Sequence, residues 1–528
     1  MSGTTLVAGS GASGLVAALA AASAGNRVIL VERSEQLGGT SALSGGRIWV
    51  PANGLPGNEG DSVDAARTYL AGLFPGRYTH MTEAFLARGP EMVRFVADNT
   101  PHRFAVCTEY PDYHPDRPGA TLGGRCLDME PADLSAMTPL VSQVRVPPGY
   151  LPMTHAEWER WRYPHRFDWD LVRRRERDGI RANGVALVAA LLDGAVRAGA
   201  MVRTGTRLTG VTLGTDGAVT AATLELSGGT ETLPVDAVIL ATGGYDRDEN
   251  LRRSWHPAAQ RATGAPPGNT GDGLRIACRA GAEVGNLGEG WWMPMLAIPG
   301  EELEGQPYFR SLIRERAVPR QIMVNAAGRR FTDEARPYND VGKAMHRHDG
   351  TGCPNDPAYM IFDAEFVRRY PLPGISADGT VPGWIARGGT PRELAERIGV
   401  DPDGLTSTVL AWNKACAEGR DTDYGRGDNP YDRYGGDPSV QPNPNLGPVA
   451  EPPFYAVRVL AGTIGTKGGP VTDASGQVLT STGEPVHGLY AVGNTGAFWT
   501  GDAYPAPGAT LGIGMTFGYL AGLDAASR

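Results

Sequence analysis

The 528-residue chain lacks the features that would place it in several large functional classes. Its five cysteines, Cys107, Cys126, Cys278, Cys353 and Cys416, are odd in number, scattered and without a C-x-x-C pair. That excludes a disulfide framework or a cysteine zinc site as organising principle, and points to a reducing compartment. No apolar run approaches the ~18 residues of a membrane span, and the stretch Leu15 to Ala24 has no basic flank to make it a signal peptide. Positive charge is in deficit: 49 Lys and Arg against 58 Asp and Glu give a net charge of −9, which argues against nucleic acid as a partner and favours solubility. Internal repeats, low-complexity tracts and metal-ligand clusters are absent from the pattern. A cytoplasmic protein with no transmembrane segment and no bound metal is expected.

What is present begins at the first strand. Thr5-Leu6-Val7-Ala8 feeds Gly9-Ser10-Gly11-Ala12-Ser13-Gly14, an Ala-rich helix, a second strand Arg27-Val28-Ile29-Leu30-Val31 and then Glu32. This order is that of a dinucleotide site. Gly9 permits the tight turn, Gly11 lets backbone N–H groups approach a pyrophosphate, and Gly14 lets the helix pack close to the sheet. The helix N-terminus then faces the phosphates, and Glu32 can accept hydrogen bonds from the adenosine ribose. The following run, Leu37-Gly38-Gly39-Thr40-Ser41-Ala42-Leu43-Ser44-Gly45-Gly46, offers bare backbone and small hydroxyls along a long cofactor, which favours FAD over NAD. No second strand–GxGxxG–helix unit is visible, so a nicotinamide electron partner is not expected.

The length exceeds the size at which one core stops growing, so two domains are expected. Helical periodicity runs from about Asp61 to Asn99, followed by Pro/Tyr-rich loops to about Pro164. A helix over Ala186 to Ala198, a hairpin pattern over Met201 to Leu233 and a strand from Asp236 into Ala241-Thr242-Gly243-Gly244 return the chain to the cofactor domain. Asp272, in Asn269-Thr270-Gly271-Asp272-Gly273, is either a helix N-cap, a cofactor contact or both. Between about Gly300 and Pro452 the composition shifts to Pro, Arg and Asp, and the chain then returns through Gly488 to Asn494 and a closing helix from about Ala509. The expected fold is α/β: a Rossmann-like FAD-binding domain (1–300 and 455–528) with an inserted α+β substrate or cap domain (301–454).

Over nearly its whole length the chain resembles the flavoprotein family that includes fumarate reductases and 3-ketosteroid dehydrogenases. The match to the ketosteroid dehydrogenase branch is carried by Gly38 to Gly46, Trp291-Trp292-Met293-Pro294, Arg330-Phe331-Thr332-Asp333-Glu334-Ala335-Arg336-Pro337-Tyr338, and Tyr504-Pro505-Ala506-Pro507-Gly508-Ala509-Thr510-Leu511-Gly512. Fumarate reductases resembling this chain carry a proton-donating Arg four residues after the position of Glu334, where Tyr338 stands here, which disfavours fumarate reduction. No His precedes Ser44-Gly45-Gly46, so FAD is expected to bind noncovalently. Taken with the motif, the resemblance implies FAD contacts at Gly9, Gly11, Ala12, Ser13, Gly14, Glu32, Arg33, Gly38, Gly39, Thr40, Ser41, Ser44, Gly45, Gly46, Ala241, Thr242, Gly243, Asp272, Gly493, Asn494, Ala509 and Leu511.

The implied activity is an FAD-dependent dehydrogenase that introduces a carbon–carbon double bond next to a ring ketone, a 3-ketosteroid by default or a smaller cyclic ketone or natural-product intermediate. The alternative is a flavin-dependent enone or fumarate-type reductase running the reverse chemistry. Desaturation needs an acidified α-proton, a base and a hydride acceptor. By resemblance, the Tyr504 hydroxyl and the Gly508 N–H meet the ketone oxygen as negative charge develops, and Tyr338 is the base, a role that requires its pKa to fall toward working pH. Tyr110 or Tyr113 occupies the segment where the family keeps a tyrosine hydrogen-bonded to this base, and Tyr113 is favoured. Electrons would leave to an external acceptor, a quinone, oxygen or a carrier. Three features stand open. Trp291 and Trp292 either line a flat ring slot or belong to the core. Phe498-Trp499 sits where smaller residues are usual and would narrow the pocket. The Arg-rich stretch Trp158 to Arg177 is either a solvated face with Glu–Arg pairs or a carboxylate-capturing surface.

Overall fold

The computed structural model describes residues 3–76, 79–376 and 378–528. In chain order the first elements that build the site are β1 (Thr4–Ala8), α1 (Ala12–Ser23), β2 (Arg27–Val31), α2 (Gly39–Leu43), α3 (Asn183–Arg197), β3 (Met201–Arg203), β4 (Ala237–Leu240) and α4 (Asp272–Arg279). They are followed by β5 (Gly290–Leu303), β6 (Gln306–Ser311), β7 (Gln321–Val324), α5 (Tyr338–Met345) and β8 (Ala358–Phe362). The chain closes through β9 (Phe454–Thr466), β10 (Gln477–Leu479), β11 (Pro485–Ala491) and α6 (Ala509–Ala526).

The cofactor-side sheet has the order β10-β11-β4-β1-β2-β3. All its pairs are parallel except β10 with β11. Its central strands read Leu-Val-Ala and Ala-Val-Ile-Leu without alternation, as strands covered on both faces must, and these residues are buried. One cover is α1, apolar on every side, which packs against α6. Glycines set that approach: a Cβ on Gly518 would lie 2.3 Å from the Ser13 carbonyl oxygen, and one on Gly522 2.4 Å from that of Ala17.

The second sheet is antiparallel along its main path, β6-β5-β9-β8-β7, and β9 is its spine. Two short strands, Ala262–Thr263 and Ala386–Gly388, also pair with β9. The boundaries expected at 300/301 and 454/455 fall inside β5 and β9, because strand pairing, which composition does not report, holds both to one sheet. The Pro/Tyr-rich stretch expected as loops holds more structure than that. Ile48–Trp49, Cys126–Met129 and Phe104–Val106 form a small sheet, and His155–Trp161 is a helix whose Thr154 and Glu157 complete a capping box.

Candidate active site

At the C-terminal ends of β1, β2 and β4, where open α/β sheets bind ligands, lies a cavity of about 450 Å³. Gly9 turns the chain there with φ +108°, and a Cβ on it would meet the Ala241 carbonyl oxygen at 2.2 Å. Ser10 is buried at this turn: its hydroxyl accepts from the Gly38 N–H at 2.8 Å and donates to Glu32 Oε2 at 2.7 Å. Its backbone N–H also reaches Glu32, at 3.1 Å, and the Ala12 N–H donates to Ser41 Oγ at 3.0 Å. The glycine-rich run is thus tied to the βαβ turn through two serines.

These residues fit FAD. Toward the cavity Gly11 is bare, since a Cβ there would meet only Ser41 Oγ, at 3.4 Å. The donor set combines a helix N-terminus for phosphate, a carboxylate at the end of β2 for ribose, and small residues beyond for a flat ring system. Of the expected FAD contacts, all but Gly38 and Ala509 line the cavity. Gly38 instead backs onto Ala42 and Val188, and Ala509 is buried in the start of α6. Asp272 is on the wall but is not a cap, because Gly271 in left-handed conformation caps α4. Its carboxylate is ion-paired with Arg207, both oxygens at 2.8 Å, and with Arg33 at 3.2 Å. Arg207 was not anticipated, as nothing in its local sequence separates it from a solvated strand residue. Among the described residues no His/Cys/Asp/Glu group could hold a metal ion, and no helix is long and apolar enough to cross a membrane.

At the other end of the cavity four tyrosines meet. The Tyr338 hydroxyl donates to the Tyr504 hydroxyl at 3.0 Å, and the Thr510 hydroxyl donates to the same oxygen at 3.0 Å. The Tyr113 ring stands edge-on to Tyr338, Tyr431 and Tyr504, with centroids 5.5, 5.2 and 5.1 Å away. Gly508, φ +87°, is the N-cap of α6, whose first N–H groups have no intrahelical acceptor. A Cβ at Gly508 would lie 2.8 Å from the Arg47 carbonyl oxygen. Tyr338 begins α5 and is 6% exposed. Burial, with Tyr504 beside it, pushes the Tyr338 phenol well above its ordinary range, and burial also raises Tyr504 and Tyr113. Burial thus works against the fall in the Tyr338 pKa that the base role requires, because desolvation outweighs the neighbouring donors.

Charged clamps fix these groups. Glu334, fully buried, pairs with Arg330 and Arg426, while Arg330 also pairs with Asp421. Arg316 donates to the carbonyl oxygens of Glu334 and Arg336, so the segment leading to Tyr338 is held on both edges. The Tyr504 loop is pinned at Pro505 O by the Tyr69 hydroxyl (2.5 Å) and the Tyr113 N–H (3.0 Å). Lys467, buried at the end of β9, donates to Gly501 O and Ala503 O and lies 3.9 Å over the Trp291 ring.

Beside the tyrosines a second cavity of about 330 Å³ shares Arg47, Tyr110, Ser44 and Gly45 with the first. Tyr110 makes no ring contact with Tyr338 among the described residues; it stacks on His155 and Tyr434, with centroids 4.8 and 4.7 Å away. Arg47 Nη1 donates to His155 Nδ1 at 2.6 Å. Burial, with Arg47 and Arg314, holds His155 well below the usual histidine range, so it is neutral.

The three open features resolve as packing. Trp291 is fully buried behind Tyr504, 4.5 Å between centroids, and Trp292 packs on His256 and His346. Phe498 buttresses Trp291 edge-on at 4.9 Å, and Trp499 packs on Phe74 and Phe85. None of these four lines either cavity. In the Arg-rich stretch Arg175 pairs with Glu157 and Arg173 with Asp170, and no arginine of the stretch lines either of these two cavities.

The family described as FAD binding domain matches residues 4–511. The chain is 39% identical over 533 residues to the 4-oxocyclohexanecarboxylate 2-dehydrogenase of Sinomonas cyclohexanicum, covering 99% of this chain and 92% of that protein. It is 35% identical over 566 residues to the 3-oxosteroid 1-dehydrogenase of Mycobacterium tuberculosis, covering 99% and 98%. Among solved structures, the 3-ketosteroid delta1-dehydrogenase from Sterolibacterium denitrificans in complex with 1,4-androstadiene-3,17-dione superposes with a TM-score of 0.93 at 34% identity, over 99% of this chain and 100% of that one.

Proposed function

Because the chain belongs to the FAD binding domain family of flavoproteins, in its ketosteroid dehydrogenase branch, we propose that it desaturates a ring ketone beside the carbonyl, with Tyr338, Tyr504 and Gly508 as the reacting protein groups. It is an FAD-dependent oxidoreductase of CH–CH bonds. The substrate is a steroid or a smaller ring ketone, as in the relatives. The observation that carries the residue assignment is the 3.0 Å hydrogen bond from Tyr338 to Tyr504 on one cavity wall, next to the start of α6.

That bond also supplies a route for the proton that needs no tyrosinate. Tyr338 accepts the α-proton from carbon as its own proton passes to Tyr504, and the Tyr504 proton passes to the ketone oxygen. This enolisation breaks one C–H bond and forms one O–H bond without creating net charge in a site where burial penalises charge. Loss of the β-hydride then requires the enol O–H to release its proton through the tyrosine pair to solvent, which restores the ketone. The Gly508 N–H and the helix start behind it favour the developing negative charge on that oxygen. Bound FAD supplies the hydride acceptor for the β-carbon. Tyr113 packs the two phenols in register. An external quinone, oxygen or carrier removes the electrons, and the protein works in the cytoplasm, a reading supported by five cysteines that form no disulfide.

The test is anaerobic mixing of the holoenzyme with 3-ketosteroids and small cyclic ketones, following loss of the oxidised-flavin absorbance. Bleaching by a ketone supports the proposal. Failure of every ketone, together with reoxidation of the reduced enzyme by an enone, would assign the reverse chemistry.

A further inference from the structure

The arginines of the second cavity are not equivalent. Arg310 is paired through two N–H groups with Glu301, Arg314 is paired with Glu159, and Arg316 spends its donors on the carbonyl oxygens of Leu312, Glu334 and Arg336. Arg47 forms no ion pair among the described residues, and its one hydrogen bond goes to the neutral ring of His155. Asp128, the acid whose charge reaches it, accepts instead from the His155 N–H at 2.7 Å.

The side chain is nonetheless held. Its guanidinium lies over the Tyr110 ring, 5.6 Å from the centroid, and Tyr110 is itself stacked between His155 and Tyr434. Because an arginine only donates, His155 Nδ1 must accept, which leaves Nε2 protonated and facing the Tyr434 hydroxyl at 2.9 Å. Gly45 leaves the space that the guanidinium fills: a Cβ there would lie 3.0 Å from Nη2. Arg47 thus presents further N–H groups, in a fixed plane, where the two cavities join. A half-buried cation placed this way, with no carboxylate at ion-pair distance among the described residues, can take an anion.

Resting on the ring-ketone reading above, we propose that the substrate carries a carboxylate and that Arg47 recognises it. A planar guanidinium with paired donors matches a carboxylate by two parallel hydrogen bonds. Spacing then restricts the ring. The Arg47 backbone lies against Gly508, so the Gly508 ketone anchor and the Arg47 guanidinium stand within the reach of one arginine side chain. That favours a monocyclic keto acid over a tetracyclic ketone.

The experiment compares kcat/KM of the holoenzyme for cyclohexanone 4-carboxylate, its methyl ester and 4-methylcyclohexanone, and measures binding of cyclohexanecarboxylate, which cannot react, by perturbation of the flavin spectrum. We expect the acid to exceed the ester on the order of 100-fold. Arg47→Met should collapse that ratio and abolish the cyclohexanecarboxylate signal, and Arg47→Lys should restore part of it. Equal rates for acid and ester in the wild type overturn the proposal, and that comparison stands even if Arg47→Met does not fold. An Arg47→Met enzyme with altered FAD affinity but an intact acid-to-ester ratio also overturns it, assigning Arg47 to the cofactor. If no ketone bleaches the flavin while cyclohexanecarboxylate still binds through Arg47, the carboxylate site stands and the desaturase reading falls.

Discussion

Tyr338 and Tyr504 share one hydrogen bond, and the direction of their pKa shifts decides how they can use it. Both are raised by burial, so at neutral pH both are phenols, and a chain of proton transfers suits them better than an anionic base. Tyr338→Phe should slow flavin reduction by about 10²–10⁴-fold, and Tyr504→Phe by about 10²–10³-fold, in anaerobic stopped-flow. Under the proposed relay, the double variant should be little slower than the slower single variant; multiplied effects would show independent roles. Position 338 was legible from its motif, whose Arg330 and Glu334 are themselves a buried pair. Arg47 was not, because an arginine after Gly45-Gly46 has no distinguishing pattern until the fold brings His155 and Tyr110 to it. In the Arg-rich stretch, ion pairs such as Arg175 with Glu157 and Arg173 with Asp170 compete with a carboxylate-capturing role.

At the scale of elements, two contacts are set by what a side chain would displace. α1 and α6 meet through Gly518, where a Cβ would press into the backbone of Ser13, so Gly518→Val should cost about 1–3 kcal/mol or more. A lowered Tm with weaker FAD retention is expected, as the same backbone forms the cofactor turn; an unchanged Tm would mean that the helices separate freely. The loop before Tyr338 contains a second constraint. Burial, with Asp432 and Glu334 close by, pushes Asp333 up to about 8. Its folded value lies above its unfolded one, so its contribution to stability is full below about pH 4 and is lost as pH rises through about 8. Asp432→Asn removes a facing charge and should narrow the drop in Tm between pH 6 and pH 9; a steeper drop would contradict it. The βαβ unit was readable because its signals are contiguous. Helix His155–Trp161 was obscured by surrounding prolines, although Thr154 and Glu157 stood at capping-box spacing.

For the molecule as a whole, the cavity wall draws on residues from Ala8 to Leu511, so the cofactor ties together segments that the chain keeps far apart. FAD should therefore act as a folding ligand. Stripping it should lower Tm, and adding it back at 100 times its Kd should return about 2.7 kcal/mol, read as a concentration-dependent Tm; a flat response would mean that the unfolded chain binds it as well. The α/β class was legible at this scale, but the extent of the second sheet was not, since β9 pairs with strands more than 90 residues upstream in sequence. That spine strand is also the last of its sheet to leave the ribosome. Until it emerges, β5–β6 and β7–β8 are separate two-stranded antiparallel ribbons with open edges, at ~5–20 residues per second for an interval on the order of ten seconds. The nascent chain thus passes through a window in which two unpaired ribbons wait for a common partner, and β9 acts as the late zip that both closes the sheet and carries Lys467 to the loop that leads into Tyr504.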